Sequence, residues 1–451
     1  TDNSFGVVKI GVADENHHYL KNIQNITGTA LDDTIEGNSN DNVLNGNGGN
    51  NTISFENAQT GVKANIGSEF IVNGVSASID GTYEAQNATG SRTVTVGATT
   101  TTYTIGDDTI TNFQNIIGSS FDDILIGSDD KNIVNSTGGN NFIYTASGND
   151  SIYGGTGNDT IAAGSGDNLI DGGTGINTVS FFDADHVIAN LRGGAGYGTA
   201  TTTYGSDTYN GNQLYNITNL IGSSGNDTLQ GNSGNNTIDG GGGTSNTVSF
   251  SDALNGVEVD LRIVGQQDTK DGLDTLINIQ NIIGSNNADT LIGNNNNNSI
   301  TAGAGNDTLR GIAGVNELYG GADDDMFYAG TSQDLIHGGT GVDTINYSEV
   351  TSSGVEVDMG NSTTYQTVYG TTQHQLIDVE NIIGTSQDDT FRTHFTVSNR
   401  FVGGGENSNG DTLDYSNMNI SGNAVQNFVR VDLNDNSGAI YQANELKATD
   451  T

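Results

Sequence analysis

Aspartate and asparagine side chains recur at a nine-residue spacing through much of this chain. In residues 154–162, GGTGNDTIA, a glycine-rich half precedes an Asn-Asp pair and a single Ile. Stepping by nine from Asp159 gives one unbroken series: Asp123, Asn132, Asn141, Asp150, Asp159, Asn168 and Asn177. Carboxylate and amide oxygens beside exposed backbone carbonyl groups are hard ligands. Such a set favours binding of a divalent cation over binding of a phosphate or of a metal that prefers thiolate ligands.

The elements that must position these side chains follow from the nonamer itself. We number its residues one to nine, so that Gly154 is position one, Asp159 position six and Ile161 position eight. The glycine-rich half predicts a tight turn, and the apolar residue at position eight predicts a very short strand with one buried side chain. One nonamer cannot bury that side chain alone, so the repeats must stack into a solenoid. Two nonamers make a coil of about 18 residues, with coils about 4.8 Å apart.

Composition agrees with a thin, repetitive core. The chain has 451 residues, of which 66 are glycine, it contains no Pro, Cys or Trp, and only 33% of its residues are hydrophobic. The net charge of −41 argues against nucleic acid as a partner and favours cations. A metal can replace the disulfides that a cysteine-free extracellular protein lacks. We expect no membrane span, because no apolar run approaches the length needed, and no signal peptide is seen.

The nonamers are grouped into a longer sequence repeat. Five segments begin alike, at Asn25, Asn115, Asn219, Asn281 and Asn381, each followed by Ile or Leu, a residue and a glycine. Nonamers follow, then a closing phrase such as SFSDALNGVEVDL (249–261). We therefore expect one continuous roll over 1–451 with super-repeats at 22–111, 112–215, 216–277, 278–377 and 378–451. Thr/Tyr/Gly-rich inserts at 67–107, 192–213, 262–274 and 360–376 are predicted to project as β-hairpins.

The fourth super-repeat gives the sharpest prediction of a metal site. Residues 18 apart should fall in one column, which places Asp289, Asp307, Asp325 and Asp343 together and leaves Asp334 opposite, with Asn298 and Asn316. Neighbouring charges about 5 Å apart repel by roughly 3 kcal/mol at an effective dielectric near 20. A cation between them removes that repulsion, and glycine turns can add carbonyl oxygens. Ligands of this kind favour Ca²⁺, and we expect several ions.

These motifs resemble a known family. The tandem nonamers and the pairing of GVEVDL with NIQNIIGSNNADTLIG are similar to the hemolysin-type calcium-binding, or RTX (repeats in toxin), proteins. The resemblance covers nearly the whole chain. It implies an all-β fold, an elongated right-handed parallel β-roll with Ca²⁺ between coils, and type I secretion from a Gram-negative bacterium. The predicted metal residues are Asp123, Asp150, Asp159, Asp289, Asp307, Asp325, Asp334, Asp343, Gly155, Gly157, Gly303, Gly305, Gly320, Gly338 and Gly341.

The chain departs from the family pattern where Asn replaces Asp at position six. An amide can lend one oxygen to a metal, but it can also form a hydrogen-bonded ladder without one. We therefore expect fewer calcium ions than nonamers. The fourth super-repeat should be the most calcium-dependent and the first the least.

Three functions remain open from the sequence. The first is a secreted structural protein of a bacterial surface layer, adhesin stalk or filament, extracellular or on the cell surface, that self-associates into a polymer or lattice. The second is a calcium-binding module of a secreted protease, lipase or polysaccharide epimerase or lyase; Arg262, Lys270 and Arg310 are too scattered to form an evident substrate groove. The third is an adhesin that binds cell-surface polysaccharide through Tyr365 and Tyr369. No catalytic or further cofactor-binding motif is found, so we expect no enzyme.

Overall fold

The structure is a computed structural model, and every element in it is a β-strand. It describes residues 6–9, 17–20, 22–38, 42–67, 70–72, 75–77, 84–85, 92–96, 99–103, 108–192, 196–328, 330, 333–359, 366–369, 372–392, 399–404 and 410–414. Among these residues there is no helix, and none therefore that is long and apolar enough to cross a membrane. Contacts divide the chain into two compact units, Thr1–Gly225 and Asn226–Thr451.

In the first unit, short strands pair in parallel, with partners 18 positions apart within a run of nonamers and farther apart where an insert intervenes. One stack contains Thr34–Glu36, Thr52–Ser54, Asn115–Ile117, Ile133–Asn135, Ser151–Tyr153, Leu169–Asp171 and the end of Asp207–Tyr215. A second contains Lys63–Asn65, Ile124–Ile126, Phe142–Tyr144, Thr160–Ala162, Thr178–Ser180 and Asn219–Ile221. A shorter one contains Asn25–Thr27, Val43–Asn45 and Asp108–Thr111.

The remaining strands of the first unit pair antiparallel. Gly6–Lys9 pairs with His17–Leu20, Phe70–Val72 with Val75–Ala77, and Glu84–Ala85 with Asp108–Thr111. Arg92–Val96 and Thr99–Tyr103 form the hairpin that the alternating Thr and Val residues predict. His186–Asn190, Gly198–Tyr204 and Asp207–Tyr215 form a three-stranded meander, which begins before the insert expected at 192–213.

The second unit repeats the same plan. One parallel stack contains Thr228–Gln230, Thr247–Ser249, Asn281–Ile283, Ser299–Ala304, Glu317–Ala322, Asp334–Thr340 and Thr372–Ile377. Another contains Glu258–Asp260, Thr290–Ile292, Thr308–Arg310, Met326–Tyr328, Thr344–Asn346, Asn381–Ile383 and Arg400–Val402. Shorter parallel sets are Thr237–Asp239 with Leu273–Ile277, and Glu356–Asp358 with Thr390–Arg392 and Thr412–Asp414.

Each insert whose return strand is described ends by rejoining a stack. Gln266–Asp268 pairs antiparallel with Leu273–Ile277, and Gln366–Tyr369 pairs antiparallel with Thr372–Ile377. Both second strands then lie parallel to the strand of the coil before the insert. The hairpins are therefore side branches, and the stacking continues past them.

The core consists of the position-eight side chains, one from each short strand. Ile161, Ile170, Leu309, Phe327 and Ile345 are all fully buried. Position seven is partly buried in the strands Thr160–Ala162 and Thr308–Arg310, whereas position nine ranges from the fully buried Ala162 to the partly buried Arg310. Beside the position-eight layer, Ile124, Ile126 and Phe142 form a second buried apolar cluster. The expected all-β parallel β-roll is confirmed. The closing phrase at 414–433 and Tyr365 lie outside the described residues, apart from Asp414.

Removing one of these side chains should destabilise the fold sharply. Leu309→Ala deletes a fully buried side chain from a central strand, and we expect a loss of about 2–5 kcal/mol in the free energy of unfolding. The control is Leu254→Ala, since Leu254 is 86% exposed. Denaturant titration in calcium measures both variants, and equal losses would contradict the assignment of the core.

Candidate metal centre

The position-six side chains form ladders along the stacks. In the second unit, the backbone N–H of Asp289 donates to Asp307 Oδ1 at 2.7 Å, Asp307 N–H donates to Asp325 Oδ1 at 2.9 Å, and Asp325 N–H donates to Asp343 Oδ1 at 2.8 Å. The opposite column joins Asn298 to Asn316 and Asn316 to Asp334 in the same way. The structure therefore places the aspartates in the two columns that the 18-residue spacing predicts.

The first unit has the same inner ladder with a mixed set of side chains. Asp123 N–H donates to Asn141 Oδ1 at 2.8 Å, and Asn141 N–H donates to Asp159 Oδ1 at 2.9 Å. Asn132 N–H donates to Asp150 Oδ1 at 2.7 Å. Asp and Asn are equivalent in this role, because each offers one oxygen to the backbone of the coil before it.

A second ladder runs outside the first in the opposite direction. Asp122, at position five, accepts the N–H of Asn140 in the next coil at 2.6 Å, and Asn140 Oδ1 accepts the N–H of Asn158 at 2.8 Å. The inner side chains accept from the coil before, whereas the outer ones accept from the coil after. Each turn is thus tied to both of its neighbours.

Residues outside the nonamers continue the inner ladder where the nonamers end. At or next to the ends of inserts, Asp108, Asn212 and Asp274 accept the N–H of Asn42, Asn168 and Asn236. Shortly after the inserts, Gln114, Gln280 and Glu380 accept the N–H of Asn51, Asn246 and Asp343. The sequence analysis missed these six residues.

Asn and Asp differ in the second atom of the side chain. Asn141 Nδ2 donates to the carbonyl oxygens of Gly138 at 3.2 Å and Gly139 at 3.1 Å, and Asn316 Nδ2 donates to those of Ala313 and Gly314 at 3.2 Å. The amide therefore satisfies the carbonyl groups of its own turn. A carboxylate at the same position has no hydrogen to donate to them.

Six aspartates accordingly retain a buried oxygen without a hydrogen-bond partner. The atoms are the Oδ2 atoms of Asp150, Asp159, Asp307, Asp325, Asp334 and Asp343. All six residues are among the predicted metal ligands. Two belong to the second super-repeat and four to the fourth, in keeping with the expected order of calcium dependence. A buried acceptor of this kind is unfavourable unless a proton or a cation reaches it.

The surroundings of these oxygens suit a cation. A Cβ added at Gly154 would meet both Asp159 Oδ2 at 2.6 Å and the carbonyl oxygen of Gly172, in the next coil, at 2.7 Å. Gly320 lies in the same way beside Asp325 Oδ2 and the Gly338 carbonyl, and Gly338 beside Asp343 Oδ2 and the Asp378 carbonyl. The bare Cα thus leaves room where a carboxylate and a carbonyl oxygen converge. The donor set consists of oxygen atoms only, as Ca²⁺ prefers.

The other predicted glycines shape the turns. Gly155, Gly157, Gly303, Gly305 and Gly341 have φ between +87° and +147°, which residues with side chains rarely adopt. A Cβ on Gly157 would also collide with the carbonyl oxygen of Gly139 in the coil before. These residues let successive turns stack closely, and their own role in metal binding stays a prediction.

Burial raises the pKa of the open aspartates. Desolvation is the main cause, and it raises the pKa of Asp150 and Asp325 to about 7 and that of Asp307 to about 8. Backbone hydrogen bonds oppose this shift, while the neighbouring carboxylates of Asp289 and Asp325 add to it at Asp307. The pKa values of Asp159, Asp334 and Asp343 are raised to about 6. The column resists carrying its full negative charge without a counter-ion.

Within the described residues, no group of three or more His, Asp or Glu side chains is arranged to hold a metal ion. A calcium site in these columns must therefore combine one or two carboxylates with backbone carbonyl oxygens. Asp123 and Asp289 fit such a site less well than the other predicted ligands, because both of their carboxylate oxygens already accept hydrogen bonds.

His374 is a further residue that the sequence analysis did not single out for this site. It lies opposite Asp334 in the next coil, where Asn or Asp stands elsewhere. Its Nε2 atom lies 3.7 Å from Asp334 Oδ2, and its Nδ1 atom is 3.1 Å from the hydroxyl of Tyr347. All three side chains are fully buried. The open oxygen of Asp334 thus has an imidazole nearby, which the other five lack.

The fold and this site define a calcium-binding β-roll built from nonamers. A family model described as the RTX calcium-binding nonapeptide repeat (4 copies) matches residues 26–57, 114–143, 144–179, 218–245, 283–314 and 310–345. The chain therefore contains multiple copies of the RTX calcium-binding nonapeptide repeat along its length, and repeats of this kind bind calcium. Among curated proteins, no match is found.

Stability should depend on pH more strongly without calcium than with it. The open aspartates have pKa values of about 6 to 8 when folded, above the usual 3.8. In a chelator their contribution is therefore complete below about pH 4 and is lost as pH rises through about 6 to 8. We expect the denaturation midpoint to fall over that interval, and to change little over it in saturating calcium, because the bound ion keeps the folded carboxylates unprotonated. A variant with Asp307→Asn and Asp325→Asn should show a weaker fall, and a midpoint that rises in chelator would contradict this account.

The asparagine side chains at position six should contribute equally to the free energy of unfolding in calcium and in chelator. Asn141→Ala leaves the buried N–H of Asp123 and two turn carbonyl groups without partners, which should lower the free energy of unfolding by about 1–3 kcal/mol for each lost group. The control is Asn140→Ala, whose exposed position lets water replace the lost bonds. Denaturant titration with calcium and with chelator distinguishes the cases. A loss confined to one condition would show that Asn141 acts through the metal.

Proposed function

We propose that this protein is a secreted structural protein whose β-roll is stiffened by calcium and which assembles into a bacterial surface layer, adhesin stalk or filament. Six buried, unpartnered carboxylate oxygens aligned on the stacks carry this proposal. The negative charges of these side chains are balanced when cations bind to the stack, and cations are abundant outside cells. Proteins with RTX repeats are generally secreted, and export without calcium followed by folding in calcium suits such a chain.

The proposed role is structural and not catalytic. The basic side chains considered for a substrate groove are each paired with nearby acids. Arg262 contacts Asp260 at 2.8 Å, Lys270 contacts Asp268 at 3.2 Å, and Arg310 contacts Glu349 at 2.8 Å. These pairs support a role in holding the surface of the roll together.

Self-association is part of the proposal. Val264, in the third insert, is fully exposed, and Leu254, in a closing phrase, is 86% exposed. Large apolar side chains displayed this far from the core offer contacts to a second copy of the chain. In the fourth insert, by contrast, the Tyr369 hydroxyl donates to the Gly330 carbonyl and its ring packs edge-on against His374. Tyr369 therefore serves the fold, which weakens the case for a sugar site there.

Electron microscopy of the purified chain tests this proposal. We expect filaments or lattices in millimolar calcium and dispersed particles after chelation. Val264→Asp together with Leu254→Asp should reduce assembly while leaving calcium-dependent stability intact. Particles that remain monomeric in calcium at every protein concentration would refute the assembly, though not the binding of calcium.

A further inference from the structure

The position-six aspartates fall into two chemical classes. In the open class, Oδ1 accepts the ladder N–H and Oδ2 has no hydrogen-bond partner, as at Asp159 and Asp325. In the closed class, both oxygens accept hydrogen bonds from a Ser or Thr four residues earlier, at position two of the nonamer. Its members are Asp33, Asp123, Asp289 and Asp389.

The closed class has nearly constant geometry. Ser119 N–H donates to Asp123 Oδ2 at 2.7 Å, and its hydroxyl donates to Oδ1 at 2.6 Å. For Ser285 and Asp289 the two distances are 2.6 and 2.8 Å, and for Thr385 and Asp389 they are 2.8 and 2.9 Å. We call this pair of hydrogen bonds the hydroxyl clamp. It places two hydrogen-bond donors on the carboxylate, so that both oxygens have partners without a metal.

In the open class, position two has no hydroxyl to offer. It is Gly155 before Asp159, Gly303 before Asp307, Gly321 before Asp325, Gly339 before Asp343, and Ala146 before Asp150. These five residues also share a backbone with positive φ, from +61° at Ala146 to +125° at Gly303. No serine or threonine of the clamp has a positive φ. The two classes therefore differ in turn conformation as well as in side chain.

We propose that position two of the nonamer decides which aspartates take calcium. Aspartates preceded by the positive-φ Gly or Ala coordinate the ion, and aspartates held by the hydroxyl clamp stay metal-free. The inference rests on calcium binding by the repeats and refines the metal set expected from the sequence, since Asp123 and Asp289 leave it. Asp334 stands outside the comparison, because His374 lies beside its open oxygen.

The position of the clamp gives it a structural consequence. Each clamped aspartate lies in the first nonamer of a super-repeat, and the first residue of that nonamer is the glycine of the segment of Asn, two residues and Gly. In three of them Oδ1 also accepts a backbone N–H from the preceding closing phrase, that of Val62 at Asp123, Val257 at Asp289 and Val355 at Asp389. The clamp thus joins one super-repeat to the previous one in a way that needs no cation.

Matched substitutions in the full-length chain test this inference. Asp325→Asn should lose bound calcium relative to wild type, whereas Asp289→Asn should lose none; bound calcium is measured by equilibrium dialysis followed by elemental analysis. Asp159→Asn and Asp123→Asn form the equivalent pair in the first unit, should Asp289→Asn fail to fold.

Unfolding curves add a second readout. In chelator, Asp325→Asn should match or exceed the stability of wild type, because the new amide can donate to turn carbonyl groups, as Asn141 does. Asp289→Asn should lose the same stability in chelator as in calcium, because its amide would face the Ser285 N–H.

The outcomes separate this inference from the calcium-binding function on which it rests. If wild type binds calcium but Asp289→Asn loses as much as Asp325→Asn, the clamp does not exclude the metal and the inference is wrong. If wild type binds no calcium, the proposed function fails first. The inference is supported if only Asp325→Asn loses calcium and if this variant is at least as stable as wild type in chelator.

Discussion

The whole roll depends on one hydrogen bond, from a backbone N–H in one coil to a side-chain oxygen in the next. The short strands contribute few ladder bonds each, and most of their fully buried apolar side chains come from one position of the nonamer. The turns must therefore be tied by side chains. Position six provides that tie in every nonamer whose ladder is described above, and Asn and Asp suit it because their short polar side chains readily hydrogen-bond to nearby backbone groups.

That requirement explains why the position alternates between an amide and an acid. Both residues satisfy the N–H of the coil before. An amide then closes the site with its own donor, as Asn316 does toward Ala313 and Gly314. An acid without the hydroxyl clamp leaves one oxygen without a hydrogen-bond partner, as Asp307 does, and a proton or a cation can satisfy such an oxygen. We therefore expect sensitivity to calcium to be set separately in each nonamer, while the stacking of the coils stays the same.

Much of this arrangement could be predicted from the sequence because the spacing is local and constant. Eighteen residues separate Asp307 from Asp325, and the period alone places them in one column. Position eight identifies Ile161 as core for the same reason. Prediction failed where the next ladder member follows an insert or a closing phrase of variable length, as with Asn212, Glu380 and His374. No fixed spacing marks such residues, and only the folded chain shows that they complete a column.

The hydroxyl clamp was missed for a different reason. The sequence shows Ser285 four residues before Asp289, but this spacing alone does not indicate a contact, because serine is also an ordinary turn residue. Its hydroxyl matters only because the turn directs it back onto the carboxylate.

The inserts return to the stack by placing one acceptor at one point, as Asp274 does beneath Asn236. Nothing in that contact depends on how many residues precede it. The roll can therefore accommodate loops of very different size at these junctions, provided that the re-entering strand carries a suitable polar atom in register. A foreign peptide or a reporter could therefore be inserted at these junctions of the calcium-binding roll.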